Sequence, residues 1–483
     1  MQLAQTCKYL AFILTLCSVA STAMAADRPN ILFILADDLG YADVGFNGAK
    51  DIVTPNLDQL ARQGTTFTRA YAAHPFCGPS RAGLLTGRYP HHYGAPFNLP
   101  ERSGLGIPLQ EVFIAQVLKD SGYLTGALGK WHLGEAPQFH PNRRGFDEFY
   151  GFLGGGHEYF PASYAQTNKG SLGEEFTYIP EYQLPIQHNG KAVVETEYMT
   201  DALSREAVAF VKKAADAKQP FFLYLAYNAP HTPLQAKAED MAMFPDIKDS
   251  KRKTYAGMVY AVDRGVGRIV NALQQSGQLD NTLIVFTSDN GGKLTAGGNN
   301  YPLREGKGSV YEGGSRVPML FHWPQKLPGN RRFEHPVLAL DFYPSFAALA
   351  GARIPQGKVL DGKNIFPYLS ANKNPRANEP YYVLRHRHGF SDAAVHKDQW
   401  KAVKVSATNW KLFDIENDIS ESHDLSLENK ELLADMVRRM EMWSWSNTQP
   451  LWFSATEEGA HWRLQGMPRD DLTYDHDGNQ RPQ

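Results

Sequence analysis

An α/β fold is predicted: a large, mixed but mostly parallel sheet sandwiched by helices, followed by a smaller C-terminal α+β unit. Three observations predict it. Short, wholly apolar runs recur through the first two thirds, with the length and composition of strands buried on both faces. Helix-period segments, opened by proline or a capping residue and closed by glycine, lie between them. After about Asn372 the texture changes to short strand-like stretches and one amphipathic helix.

The elements follow in order. "PNILFILADD" carries an apolar run from Ile31 to Ala36 and reads as a buried parallel strand. "TPNLDQLARQG" reads as a helix, with Thr54 as N-cap, Pro55 at the first position and Gly64 as stop. "VFIAQVLKDSGY" is a helix ending at Gly122, and "YLTGALGKWHLG" holds a short strand. "PFFLYLAYNAPH" is a buried strand, and "TYAGMVYAVDRGVGRIVNALQQSG" is a long helix closed by Gly277. "NTLIVFTSDNGG" and "RVPMLFHWP" are further strands, and "DFYPSFAALAG" is a helix. "YYVLRHRHGF", "AAVHKDQWKAVKV" and "NWKLFDIEND" form a meander, and "NKELLADMVRRMEMWSW" an amphipathic helix. The expected division is a catalytic unit over 26–372 and a C-terminal unit over 373–483.

Residues 1–25 read as a cleaved export signal. Lys8 precedes an apolar run from Tyr9 to Ala20, and Ala23-Met24-Ala25 supplies the small-residue cleavage site. The run is short for a membrane span, and no later segment is apolar enough for one. The expected location is periplasmic or secreted. Lys and Arg number 49 against 51 Asp and Glu, so neither nucleic acid nor an anionic membrane is favoured as partner. Of three cysteines, Cys7 and Cys17 fall within the signal, which leaves Cys77 with no partner.

Asp37 and Asp38 follow directly on the first strand, and Asp289 and Asn290 on another. Sites in open α/β sheets lie beyond the carboxyl ends of the strands, so the two pairs should converge. Three carboxylates and an amide are hard oxygen donors, which favours Ca²⁺, or Mg²⁺, over zinc. Cys77 precedes "GPSRAGLLTG", where Pro79 suits the first helical position and Gly87 a stop. A helix N-terminus attracts anions and would acidify a thiol. Cys77 is then an inert buried thiol, a nucleophile, or a cysteine converted to something else.

The run Cys77-Gly78-Pro79-Ser80-Arg81, continuing through Ala82 to Arg88, resembles the signature of type I sulfatases. "ILFILADDLGYADVG", "GYLTGALGKWHLG", "PFFLYLAYNAPHTP", "IVFTSDNGG", "LREGKGSVYEGGSRVP" and "WKLFDIENDISESHDLS" agree in order and spacing. The resemblance implies an alkaline phosphatase-like superfold and hydrolysis of sulfate esters. It also implies a Cα-formylglycine made from Cys77 by a maturation enzyme. The hydrated aldehyde would attack sulfur with one hydroxyl, and its second hydroxyl would collapse to eliminate sulfate. Asp37, Asp38, Asp289 and Asn290, with the modified Cys77, would hold the cation. Arg81 would stabilise the hydrated aldehyde, and Lys130 and Lys307 would hold sulfate oxygens. His132 would assist release of sulfate, and His231 would protonate the leaving oxygen.

For the substrate, "HPNRRGFDEFYGFLGGGHEYF" offers Arg143, Arg144, His157 and Tyr159, and "YYVLRHRHGF" offers Arg385, His386 and His388. The first stretch resembles bacterial sulfatases that degrade marine polysaccharides, which implies a carrageenan-like sulfated oligo- or polysaccharide. Phosphate or phosphonate monoester hydrolysis, a non-catalytic sulfated-sugar-binding relative and a cysteine hydrolase are the other readings. The paired carboxylates argue against the last, and the intact Cys77, Lys130, Lys307, His132 and His231 against the silent relative.

Overall fold

The computed structural model describes residues 28–100, 103–164, 182, 184–387, 390–406, 408–455 and 459–460. The expected export signal and His388 lie outside them. Among the described residues no helix is long and apolar enough to cross a membrane.

The central strand is β1, Asn30–Ala36, buried at every position. It is flanked in parallel by β8, Phe221–Ala226, and β9, Thr282–Ser288. On one side β8 is followed by β4, Leu124–Lys130, and β5, Glu148–Phe152, both parallel. On the other side β10, Met319–His322, runs antiparallel to β9. Among the described residues the sheet has ten strands. Its edges are completed by β2, Thr65–Phe67, and β11, Arg331–Phe333, beyond β10, and by β6, Gln187–His188, and β7, Lys191–Ala192, beyond β5. Two short strands, β3, Ala70–Tyr71, and β12, Val337–Leu338, pair apart from it. The predicted mixed, mostly parallel architecture is therefore present.

Alternation along β1 explains why its sequence shows no polar face. Ile31, Phe33 and Leu35 pack into one core with Phe342 and Phe346 of the helix Phe342–Ala350. Leu32, Ile34 and Ala36 pack into the other, with the helices Met199–Ala217 and Ser250–Gln275. A strand covered on both sides has no face left for polar residues.

The C-terminal sheet comprises β13, Tyr381–Arg387; β14, Phe390–Lys397; β15, Trp400–Lys404; and β16, Lys411–Asp414. It is antiparallel throughout, and the helix Lys430–Ser444 covers one face through Met436, Val437 and Met440. A buried charge cluster ties it to the larger sheet's loops. Lys401 Nζ on β15 lies 3.0 Å from Glu312 Oε1 and 2.8 Å from Glu421 Oε1. Glu312 also accepts from Tyr71 at 2.9 Å and Arg316 at 3.0 Å. Lys401→Met strands the buried Glu421 carboxylate while Glu312 keeps Arg316, so unfolding stability should fall by about 3 kcal/mol, read as a lower chemical-denaturation midpoint.

Candidate active site

The parallel register sets the site. Ala36 pairs with Ser288, so Asp37-Asp38 and Asp289-Asn290 emerge side by side at the same end of the sheet. Lys130 is the last residue of β4, and its Nζ sits 2.6 Å from Asp37 Oδ2. Asp38 has φ +62°, a left-handed conformation that aspartate tolerates better than most residues. Its amide donates to Asp289 Oδ1 at 3.2 Å, and Asn290 Nδ2 donates to Asp38 Oδ1 at 2.8 Å. The two loops are thus stitched together through the predicted ligands themselves.

Each carboxylate has a side-chain cation. Lys130 pairs with Asp37, Lys307 with Asp38 at 2.7 Å, and Arg81 Nη2 with Asp289 at 2.8 Å. Three carboxylates this close repel one another, and that repulsion is met first by protein charges. Burial opposes the charge on Asp38, but Lys307 and His231 hold its carboxyl well below the usual range. Burial, reinforced by the Asp37 charge, pushes Asp289 up to about 6.

Cys77 begins the helix Cys77–Thr86, which is buried along its whole length and closed by Gly87 in the left-handed conformation. Pro79 is the third helical residue rather than the first. Lys307 Nζ reaches Cys77 Sγ at 3.1 Å, so the sulfur marks where an oxygen on this side chain would lie. The acidified thiol expected from the helix terminus is not found. Burial pushes the thiol up to about 12, and the neighbouring lysines do not offset it. A thiol held protonated by burial makes a weak nucleophile at neutral pH, which counts against the cysteine-hydrolase reading.

Oxygen atoms suited to a divalent cation lie beside it. Asp37 Oδ1 and Asn290 Oδ1 are buried with no hydrogen-bond partner. Buried polar oxygens are rarely left unpaired, and a hard cation would satisfy both. Among His, Cys, Asp and Glu side chains, ligand atoms of Asp37, Asp38, Cys77 and His231 lie within 4.8 Å of one another. That group adds His231 to the sequence-derived set. Asp289 adjoins it through Asp38 and spends one oxygen on Arg81.

His231 donates from Nδ1 to Thr232 O at 2.7 Å, since a carbonyl only accepts. Its Nε2 therefore faces Asp38 Oδ2, 3.7 Å away. Burial first, then the charge of Lys307, pushes its pKa well below the ordinary value. His132 sits two residues past β4 at φ +62°, with a buried Nδ1 lacking a partner. Burial and then Lys130 keep its ring neutral.

The expected sugar-binding residues divide. Arg143 lines a cavity of about 710 Å³, and Arg385 lines one of about 480 Å³ beside Lys307. Four others turn inward, against expectation. Arg144 gives its guanidinium to the carbonyls of Ile107, Pro108 and Glu111 and packs on Phe113. His157 bonds the carbonyls of Glu158 and Leu184. Tyr159 donates towards Asn228 O and His231 O, which fixes the His231 turn. His386 bonds Ser391 Oγ at 2.6 Å in the interior. In each case at least one polar atom is committed to a neighbouring chain segment.

Asn300 was missed. Fully buried, its Oδ1 accepts from Tyr41 N at 3.2 Å and Gly292 N at 3.0 Å. Its Nδ2 donates to Gly292 O at 2.9 Å and Glu305 O at 3.0 Å. One amide thus joins the loops carrying Asp38, Asn290 and Lys307. Behind them Gly291 is irreplaceable, because a Cβ there would lie 1.7 Å from Gly313 O. "GGNNYP" reads as an ordinary turn, so no sequence signal marks Asn300. Asn300→Ala should cost about 3 kcal/mol, read as a lower thermal midpoint together with reduced turnover.

Paired carboxylates, each with its own cation, beside Cys77 at the strand ends of an α/β sandwich suit a hydrolase of anionic esters. Comparison with known proteins narrows the class. The Sulfatase family matches residues 29–352, and the C-terminal region of N-sulphoglucosamine sulphohydrolase matches 306–444. Dog N-acetylgalactosamine-6-sulfatase is 34% identical over 407 residues, 81% of this chain and 74% of that protein. Human arylsulfatase A is 37% identical over 381 residues, 76% of this chain and 73% of that protein. The crystal structure of Ps i-CgsB in complex with k-i-k-neocarrahexaose superposes with a TM-score of 0.89 at 64% identity, over 93% of this chain and all of that one. The chain belongs to the sulfatase family and is a sulfuric ester hydrolase.

Proposed function

We propose that this enzyme removes sulfate from a carrageenan-type galactan, using Cys77 after its conversion to Cα-formylglycine. The observation that carries the chemistry is the buried, weakly acidic Cys77 beside Lys307 and the unpartnered oxygens of Asp37 and Asn290. The 64% identity to a protein captured with a carrageenan hexaose supports the substrate class. The reading includes export to the periplasm or medium, maturation by a formylglycine-generating enzyme, and a catalytic unit over 26–372 completed by 373–483.

Asp37, Asp38, Asp289 and Asn290, with position 77, would hold Ca²⁺ or Mg²⁺. When bound, the cation gives the otherwise balanced cluster a positive excess that attracts the ester and stabilises an anionic oxygen nucleophile. The converted side chain supplies oxygen in place of a thiol that burial keeps protonated.

The remaining steps fall to this chain's own side chains. Lys130 and Lys307 turn from their carboxylate partners towards the sulfate oxygens and spread the charge of the transferring group. Arg81, one helical turn from position 77, holds Asp289 and the base of the helix in place. His231 presents Nε2 to the leaving oxygen. The arriving negative charge offsets the effect of Lys307 and favours the protonated ring that delivers the proton. His132 takes a proton during sulfate release.

The test is a screen of sulfated and phosphorylated esters for released anion. Sulfate release from carrageenan oligosaccharides is the expected result. Turnover confined to phosphate or phosphonate esters would favour that alternative and overturn the proposal.

A further inference from the structure

Asp38 holds its left-handed conformation outside any helix or strand, so the turn from Asp38 to Asp43 takes its shape from the groups around it. Its amides are met one by one. Asp38 N donates to Asp289 Oδ1 at 3.2 Å, and Leu39 N to Ser288 Oγ at 3.1 Å. Tyr41 N donates to Asn300 Oδ1 at 3.2 Å, and Ala42 N to Asn299 O at 2.9 Å. These four acceptors lie within 288–300, the strand end and loop that also carry Asn290.

Gly40 N takes a partner from elsewhere. It donates at 3.1 Å to the hydroxyl of Tyr255, on the helix Ser250–Gln275. Tyr255 is fully buried, and its Oη also lies 3.2 Å from Asp38 O. The hydroxyl has one proton to give, and the Asp43 carboxylate, at 2.8 Å, is the closer and stronger acceptor. Asp43 is itself fixed on both oxygens. Oδ2 also accepts from Asn299 N at 2.8 Å, and Oδ1 accepts from Arg252 Nη1 at 2.6 Å, one helical turn before Tyr255. The fit is close, since a Cβ on Gly40 would lie 2.2 Å from Asp43 Oδ2.

The chemistry drawn above uses neither Tyr255 nor Asp43. A loop that already holds its ligand in place binds a cation more tightly than one the cation must order. Without the Tyr255 hydroxyl, Gly40 N loses its buried acceptor and Asp43 Oδ2 one of its donors, which loosens the turn at Asp38. We propose that Tyr255 and Asp43 are positioning residues for the cation, holding the Asp38 turn in the shape that binds it. The proposal rests on the reading of Asp37, Asp38, Asp289 and Asn290 as cation ligands.

The test titrates the full chain, stripped of metal by chelation, with Ca²⁺ and separately Mg²⁺ by calorimetry. Intact mass verifies that position 77 is in the same state in every preparation, and thermal midpoints verify the fold. Tyr255→Phe removes one oxygen and keeps the ring. It should weaken binding of the preferred cation about tenfold. The cation concentration that half-restores sulfate release should rise by the same factor, with kcat at saturating cation within about twofold of the unsubstituted enzyme. Tyr123→Phe is the control. Tyr123 is as deeply buried and donates to Pro29 O at 2.9 Å, at the opposite end of β1. Its loss should leave cation affinity within about twofold. Asp43→Asn keeps the volume and leaves Arg252 its second partner, Asp51, at 2.7 Å. It should weaken binding at least about threefold, and it decides the matter if Tyr255→Phe does not fold. Unchanged affinity in the deciding variant, or equal weakening by Tyr123→Phe, overturns the positioning role and leaves the cation reading intact. Failure of the unsubstituted chain to bind either cation overturns that reading and the proposal with it.

Discussion

Cys77→Ala and Cys77→Ser should each lower kcat/KM for sulfate release by at least about a thousandfold, because the group that forms the bond to sulfur is gone. The fold should survive. Cys77 is one residue of a helix buried along its whole length, and serine differs from it by one atom. Matched thermal midpoints for Cys77→Ser and the unsubstituted protein are therefore the control. Active protein should carry an aldehyde at position 77, detected by intact mass and a carbonyl-reactive label. Full activity from protein holding only an unmodified thiol contradicts the mechanism. The high thiol pKa makes this a sharp test, since an unmodified Cys77 at neutral pH is almost wholly protonated.

Asp289→Ala should abolish turnover and also destabilise the chain. Asp289 Oδ2 accepts from both Nε and Nη2 of the fully buried Arg81, at 2.9 and 2.8 Å. Removing the carboxylate leaves a buried guanidinium whose next acidic neighbour, Asp37 Oδ2, is 3.5 Å away and already bonded to Lys130. A loss of about 3–5 kcal/mol follows. Chelation of the unsubstituted enzyme should stop sulfate release without that loss of the Arg81 pair, and added Ca²⁺ or Mg²⁺ should restore it. The comparison separates the structural role of Asp289 from its role as a ligand. Retained turnover after exhaustive chelation would contradict a cation at this site.

Much of the fold was legible because its central strands are covered on both faces. Ile31 to Ala36 and Leu283 to Phe286 read as unbroken apolar runs for that reason. The edges were not legible. Thr65–Phe67, Gln187–His188, Lys191–Ala192 and Arg331–Phe333 span two or three residues each, too few to show a period. The convergence of Asp37-Asp38 with Asp289-Asn290 was readable because each pair directly follows such a central strand, at the end of the sheet where sites form. Arg144, His157, Tyr159 and His386 were misread because a polar side chain in a loop looks the same in sequence whether it faces a sugar or a buried carbonyl. Asn300 escaped for the complementary reason, since its partners are main-chain groups that leave no trace in residue type.

The sequence by itself determined the layered α/β architecture, the placing of Asp37, Asp38, Asp289 and Asn290 at strand ends, and the motif around Cys77. Periodicity and local motifs are properties of neighbouring residues, and these features need nothing more. The tertiary structure alone decided that the Cys77 thiol is raised rather than acidified, that each carboxylate has its own cation, and that Arg385 and Arg387 reach a cavity beside Lys307. Those outcomes depend on burial and on distances between residues far apart in the chain. Desolvation outweighs the pull of a helix terminus only once every side of the thiol is covered, and that is settled by packing.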